Sequence, residues 1–276
     1  MKKIWILLLM TAAAAFVSAA EMKDLPYYDE EFPRTGNLES LEKFCKLDLV
    51  IPEGKKDFPT LIWLHGGGLS GGRKYVPKNL RTDEIAVAAV EYRLSGKGAE
   101  CPDYIYDSAA AAAWVKKHIA EYGGDPAKIY IAGHSAGGYL TMMLALDKRY
   151  LGAFKADPGD FAGYFPVSGQ ATTHFRILAE RKAKGIAVPD VMLDEYAPIQ
   201  LARRNAPPIT LLVGDPAVEW PSRVEENFLL AARLKRVYKN EKAECLSFPS
   251  FTHGSVVAPA IAVINEKILP KPKKKK

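Results

Sequence analysis

The chain has 276 residues, 48% of them apolar and 25% charged, with a formal net charge of +6. That length and apolar content suit one large, well-buried α/β domain and argue against a second complete one. The charge sits at the ends: Lys2, Lys3 and the five lysines of the tail KPKKKK (271–276) carry seven positives, which leaves −1 on everything between. With no basic stripe carrying interleaved aromatics in that body, a nucleic-acid partner is not expected.

In chain order, the first segment pairs Lys2 and Lys3 with an apolar run from Ile4 to Phe16 and then small residues up to Ala20. This is the build of a secretory signal peptide (1–20), with cleavage after Ala19 or Ala20. The run is shorter than the roughly 20 residues needed to cross a bilayer, and no cysteine follows it to take a lipid. The expectation is a secreted or periplasmic protein without integral membrane association, with the domain over 21–270 and a solvated basic tail at 271–276.

After a polar, aromatic-rich lead-in (21–44), apolar β-type runs alternate with helical patterns. CKLDLVI (45–51) alternates as a partly exposed strand does. TLIWLHG (60–66), AVAAVEY (86–92), KIYIAG (128–133), FAGYFPVSG (161–169), PITLLVG (208–214) and CLSFPS (245–250) read as strands covered on both faces. Helices are expected over 104–121, 135–148, 222–237 and 256–268. This alternation predicts an α/β fold with a mostly parallel sheet flanked by helices. The 38 residues from Gln170 to Pro207 are too long for an ordinary connection of about 4 to 6; with the helical stretch FRILAERKAK they predict a small cap insertion.

Three cysteines, Cys45, Cys101 and Cys245, allow at most one internal bridge, and their spacing fits no zinc site. No metal ligand set is recognised elsewhere.

The chemistry is carried by GGDPAKIYIAGHSAGGYL (123–140), where G-x-S-x-G sits between a strand and a helix. Such a turn strains its central residue and lifts Ser135 above the sheet edge, beside the unpaired amides of a helix N-terminus. A serine hydroxyl needs a base. Of the five histidines, His253 directly follows the last strand and is the expected base. His134 reads as packing on the far side of the turn, His118 as a surface residue of a lysine-rich helix, and His174 as a surface residue or a substrate contact in the cap. His65 opens HGGG (65–68) at another strand end; there the amides of Gly67 and Gly68, with that of Ala136, are placed to converge on an oxyanion.

HGGG, GGDPAKIYIAGHSAGG and a late HG, in this order, resemble the α/β-hydrolase superfamily. The resemblance is to the secreted esterase/lipase group related to hormone-sensitive lipase and bacterial feruloyl and acetyl esterases, and it spans about 43–268. It implies an eight-strand-type sheet, Ser135 as nucleophile, His253 as base, an oxyanion hole of Gly67, Gly68 and Ala136, and no cofactor. In that group the acid usually lies three residues past the glycine ending the penultimate strand; in GDPAVEWP (214–221) that slot holds Ala217. Asp215, at the strand end, and Glu219, two residues past the empty slot, are the alternatives, with Asp215 put first.

The expected function is therefore serine carboxylic-ester hydrolysis through an acyl-enzyme, on small-molecule or polysaccharide-linked esters. The resemblance suggests acetyl or feruloyl groups on plant polysaccharides; His174, Phe175 and Tyr196, as aromatic and polar residues of the cap, are expected either to contact substrate or to form the cap's own small core. The alternatives are a serine peptidase of the prolyl-oligopeptidase type and a non-catalytic binding module that has lost its triad.

Overall fold

The computed structural model describes residues 20–269; the expected signal segment, apart from Ala20, and the lysine tail lie outside them. Eight strands form one sheet in the order β1-β2-β4-β3-β5-β6-β7-β8: β1 Ala20–Pro26, β2 Lys46–Ile51, β3 Phe58–Leu64, β4 Ala86–Val90, β5 Gly124–His134, β6 Gly163–Val167, β7 Ile209–Val213 and β8 Ala243–Ser247. β2 runs antiparallel to both β1 and β4. Every pair from β4 through β3 and β5 to β8 is parallel.

The strands read as continuous apolar runs because both faces are covered. Along β3, Ile62 and Leu64 point into one core together with the alanine-rich face of α2 (Asp103–His118) and with α3 (Ala136–Leu146). Leu61 and Trp63 point the other way, into a second core closed by α7 (Val257–Ile268). Burial of apolar area on both sides is the main favourable contribution to folding.

Three expectations need correction. The lead-in, in which no element was expected before the strand at 45–51, holds β1 and the short helix α1 (Leu38–Phe44), capped by the Asn37 side chain accepting the Ser40 amide. β8 is a half-exposed edge strand rather than one covered on both faces. The helix expected over 222–237 stops as an α-helix at α6 (Arg223–Ala232) and continues as one π-helical stretch to Val237. After the small helix α4 (Lys148–Gly152), the long connection 170–207 contains one further helix, α5 (Phe175–Ala183), and a 3₁₀ turn at Pro198–Leu201.

Beyond the ladders, backbone bonds stitch the carboxyl ends of the strands together. The Ser135 amide donates to the Val167 carbonyl (2.8 Å), the Ser168 amide to Leu212 (2.8 Å), the Phe248 amide to Val213 (3.0 Å) and the Asp215 amide to Phe251 (2.8 Å). The three cysteines are free thiols. Among the described residues no helix is long and apolar enough to cross a membrane.

Candidate active site

β5 runs directly into α3 through Ser135, whose backbone sits at φ 56° and ψ −112°, outside the regions a side chain ordinarily favours. The turn closes this tightly because nothing larger than glycine fits behind it: a methyl at Gly137 would overlap the Leu64 carbonyl, and one at Gly133 would overlap Gly137. Ser135 is thereby lifted to the floor of a groove of about 610 Å³.

His253 lies in the turn between β8 and α7. Its Nε2 is 2.9 Å from Ser135 Oγ, and its Nδ1 is 2.6 Å from Glu219 Oε1. A carboxylate only accepts, so Nδ1–H donates to Glu219 and Nε2 is left to accept the serine hydroxyl. The Glu219 side chain is fully buried. Burial by itself would raise its pKa, but hydrogen bonds from His253, the Ser168 hydroxyl and the Trp220 amide outweigh that and bring it down to about 2. Ser168 Oγ donates to Glu219 Oε2 at 2.7 Å. The Trp220 indole lies flat on the imidazole, centroids 3.9 Å apart and planes 11° apart.

Asp215, put first on sequence, is not at the ring. Its Oδ1 accepts the Ala217 amide (2.9 Å) and its Oδ2 the Ser250 amide (2.6 Å) at the surface. The physical reason is the tight turn that follows β7. The Val218 and Glu219 amides both return to the Asp215 carbonyl, winding Ala217 out to solvent and Glu219 back under His253.

The HGGG loop forms one wall of the groove. Gly67, at φ 122°, has no room for a Cβ against Gly71. Its carbonyl accepts the amides of Ser70 (3.2 Å) and Gly71 (2.9 Å) inside the loop, which in a planar trans peptide sends the Gly68 N–H the opposite way. His65 fastens this loop from below: Nε2 meets Glu91 Oε1 at 3.0 Å, and the ring stacks on Tyr92 at 4.3 Å. Ala136 occupies the first position of α3, where backbone N–H groups have no intrahelical acceptor.

The remaining histidines are tied down. His134 does not face away: its Nε2 donates to the His253 carbonyl at 2.7 Å, and burial together with the neighbouring imidazole brings its pKa down to about 4. His174 is buried rather than at the surface, capping α5 by accepting the Arg176 amide at 3.1 Å and stacking on Phe175. His118 bonds Asp29 and Glu121. Of the three expected substrate contacts only Phe175 lines the Ser135 groove; Tyr196 opens onto a separate cavity beside Cys101 and Glu180.

A family model described as BD-FAE matches residues 47–206, more than half of the chain. The chain belongs to the BD-FAE family. "Secreted lipase 5" of Gibberella zeae is 28% identical over 67% of this chain and 42% of its own length, and "Carboxylesterase 1F" of Mus musculus is 38% identical over 53% and 28%. This BD-FAE chain spans 20 to 54% of the lengths of eight such curated relatives. Among solved structures, "Bacterial Heroin Esterase" aligns with a TM-score of 0.65 at 24% identity, covering 95% of this chain and 87% of that one. "Truncated form of carbohydrate esterase from gut microbiota" aligns with a TM-score of 0.65 at 18% identity, covering 92% and 97%. The fold is that of the α/β hydrolases.

Several residues of this BD-FAE chain carried no expectation from sequence: Trp220, Tyr75, Arg73 and Arg176, which line the groove, and Ser168, buried beneath Glu219. Only Trp220 carried a local signal, its place directly after Glu219.

Proposed function

We propose that this protein is a serine carboxylic-ester hydrolase working through an acyl-enzyme. The observation that carries this reading is the continuous line from Ser135 Oγ through the His253 ring to Glu219. Ser135 attacks the ester carbonyl while His253 Nε2 takes its proton. Glu219 holds the ring in that tautomer and stabilises the imidazolium. The amides of Gly67, Gly68 and Ala136 receive the oxyanion, a contribution of roughly 3 to 4 kcal/mol for each donor properly placed. His253 then protonates the departing alcohol, and water releases the acyl group by the reverse route. The chemistry needs no metal or organic cofactor.

The Ala217 slot, which favoured a binding module without a triad, loses its weight once Glu219 supplies the carboxylate. Export, implied by residues 1–20, and the open groove edged by half-exposed Tyr75, Phe175 and Trp220 support acetyl or feruloyl esters on polysaccharides as substrates. The test is an ester panel graded by acyl length, including methyl ferulate and acetylated xylan, run beside p-nitroanilides. Ester turnover with fluorophosphonate labelling of Ser135 is the expected result; labelling without ester turnover, or anilide turnover in excess of ester turnover, overturns it.

A further inference from the structure

The groove above Ser135 is lined by two guanidinium groups, Arg73 and Arg176, and by no carboxylate. Arg73 comes from the loop after β3 and is exposed, whereas Arg176 comes from the first turn of α5 and is partly buried. Among the described residues neither makes an ion pair, and this is not for want of acids nearby. Lys74, next to Arg73, is paired with Asp24 and Asp48, and Arg181, further along α5, with Asp194. Arg176 uses Nη2 to donate to Ser70 Oγ at 2.9 Å, a bond that ties α5 to the glycine loop, while its Nε is buried without an acceptor. Ser70 is a neutral partner and leaves the charge uncompensated.

Two unpaired positive groups in a concave surface focus a field that draws anions, and the planar fork of arginine suits a carboxylate in particular. We infer that the substrate carries, besides the ester, a carboxylate that Arg73 and Arg176 receive. This rests on the ester-hydrolase reading and narrows it to acidic esters: the carboxylate belongs either to the alcohol portion, as in an esterified uronic acid, or to the acyl portion, as in the half-ester of a dicarboxylic acid.

Two matched pairs test it. For the alcohol side, 4-acetoxybenzoate is compared with 4-acetoxybenzamide; for the acyl side, monomethyl terephthalate with methyl 4-carbamoylbenzoate. In each pair the ester is the same and only the charge differs, with the carboxylate too distant to assist hydrolysis within the molecule. The expected result is that, in one pair, kcat/KM is about tenfold higher for the anion, the size of one charge-assisted hydrogen bond. The difference should lie in KM and shrink as salt is raised. In Arg73→Gln and in Arg176→Gln the anion-to-neutral ratio should fall toward one, with fluorophosphonate titration of Ser135 counting the folded sites. A ratio near one in both pairs of the unmodified protein overturns the inference while leaving the esterase reading standing, as does a ratio that survives both substitutions. Failure to turn over any ester, neutral or charged, overturns the esterase reading itself.

Discussion

Glu219 holds His253 with one carboxylate oxygen, Oε1 to Nδ1 at 2.6 Å, and anchors itself to Ser168 with the other, Oε2 to Oγ at 2.7 Å. The Glu219 carboxylate is therefore fixed from two sides. Glu219→Gln should lower kcat by on the order of 10⁴, because an amide no longer enforces the tautomer or stabilises the imidazolium. Asp215→Asn, at a carboxylate that accepts the Ala217 and Ser250 amides but does not reach the His253 ring, should cost kcat far less, within about tenfold. Steady-state kinetics on a p-nitrophenyl ester compares the two; the reverse ranking would move the acid to Asp215.

Removing the Ser135 hydroxyl is the plainest check of the proposed route. Ser135→Ala should lower p-nitrophenyl ester hydrolysis by on the order of 10⁴ or more and abolish fluorophosphonate labelling. Unchanged turnover would eliminate the acyl-enzyme route.

The Trp220 indole, 47% exposed, covers one face of the His253 ring. Trp220→Ala should reduce kcat several-fold, since the imidazole loses the surface against which it is aligned, while the melting temperature moves little because the indole is half in solvent. Trp220→Phe should recover most of the rate. A loss confined to stability, with kcat intact, would make the stack merely structural.

Acid should weaken the fold in part through His134. With a native pKa of about 4 against 6.5 for a free histidine, the unfolded chain binds the extra proton first as pH falls. The stabilisation is complete above pH 6.5 and is lost as pH drops through 4, at about 1 to 3 kcal/mol in all. Buried His174 acts in the same direction, and His118, whose pKa is raised by its carboxylate partners against the opposing effect of burial, acts oppositely. Thermal melts from pH 7.5 to 4.5 should therefore show a shallower decline in His134→Gln than in the unmodified protein. An identical decline would show that the imidazole is not held neutral.

Gly137→Ala probes the elbow itself. The added methyl overlaps the Leu64 carbonyl, a backbone atom of the adjacent strand that cannot step aside. A loss of about 3 kcal/mol or more is expected in denaturant unfolding; tolerance of the methyl would show that the turn has slack.

The parts of this site that were legible in sequence are those set by local rules. A strand running straight into a helix leaves few ways to pass through Ser135, and three glycines after a core strand need a steric reason, so both motifs announce themselves. His253 could be chosen by chain order because the last strand and last helix bracket it. Asp215 and Glu219 were both legible as candidates, but which of them meets His253 was not, because that depends on how the chain winds after β7: one helical turn at Asp215 brings the carboxylate four residues on under the ring. Arg73, Tyr75, Arg176 and Trp220 come together in space from three distant places, the loop after β3, the first turn of α5 and the turn after β7. β1 was missed for a different reason: an edge strand with polar residues carries little apolar signal.

The amides that join Ser135 to Val167, Ser168 to Leu212 and Asp215 to Phe251 make the alignment of hydroxyl, ring and acid a property of strand register. A slip of one residue between neighbouring strands would carry a group about 3.3 Å, further than the hydrogen bonds that unite them. Phe175 and Arg176 belong to the 170–207 insertion and take no part in that stitching. The 170–207 connection is joined to the glycine loop by a side-chain bond, Arg176 to Ser70, so substitutions there can reshape the groove wall while the strand-end bonds stay in place.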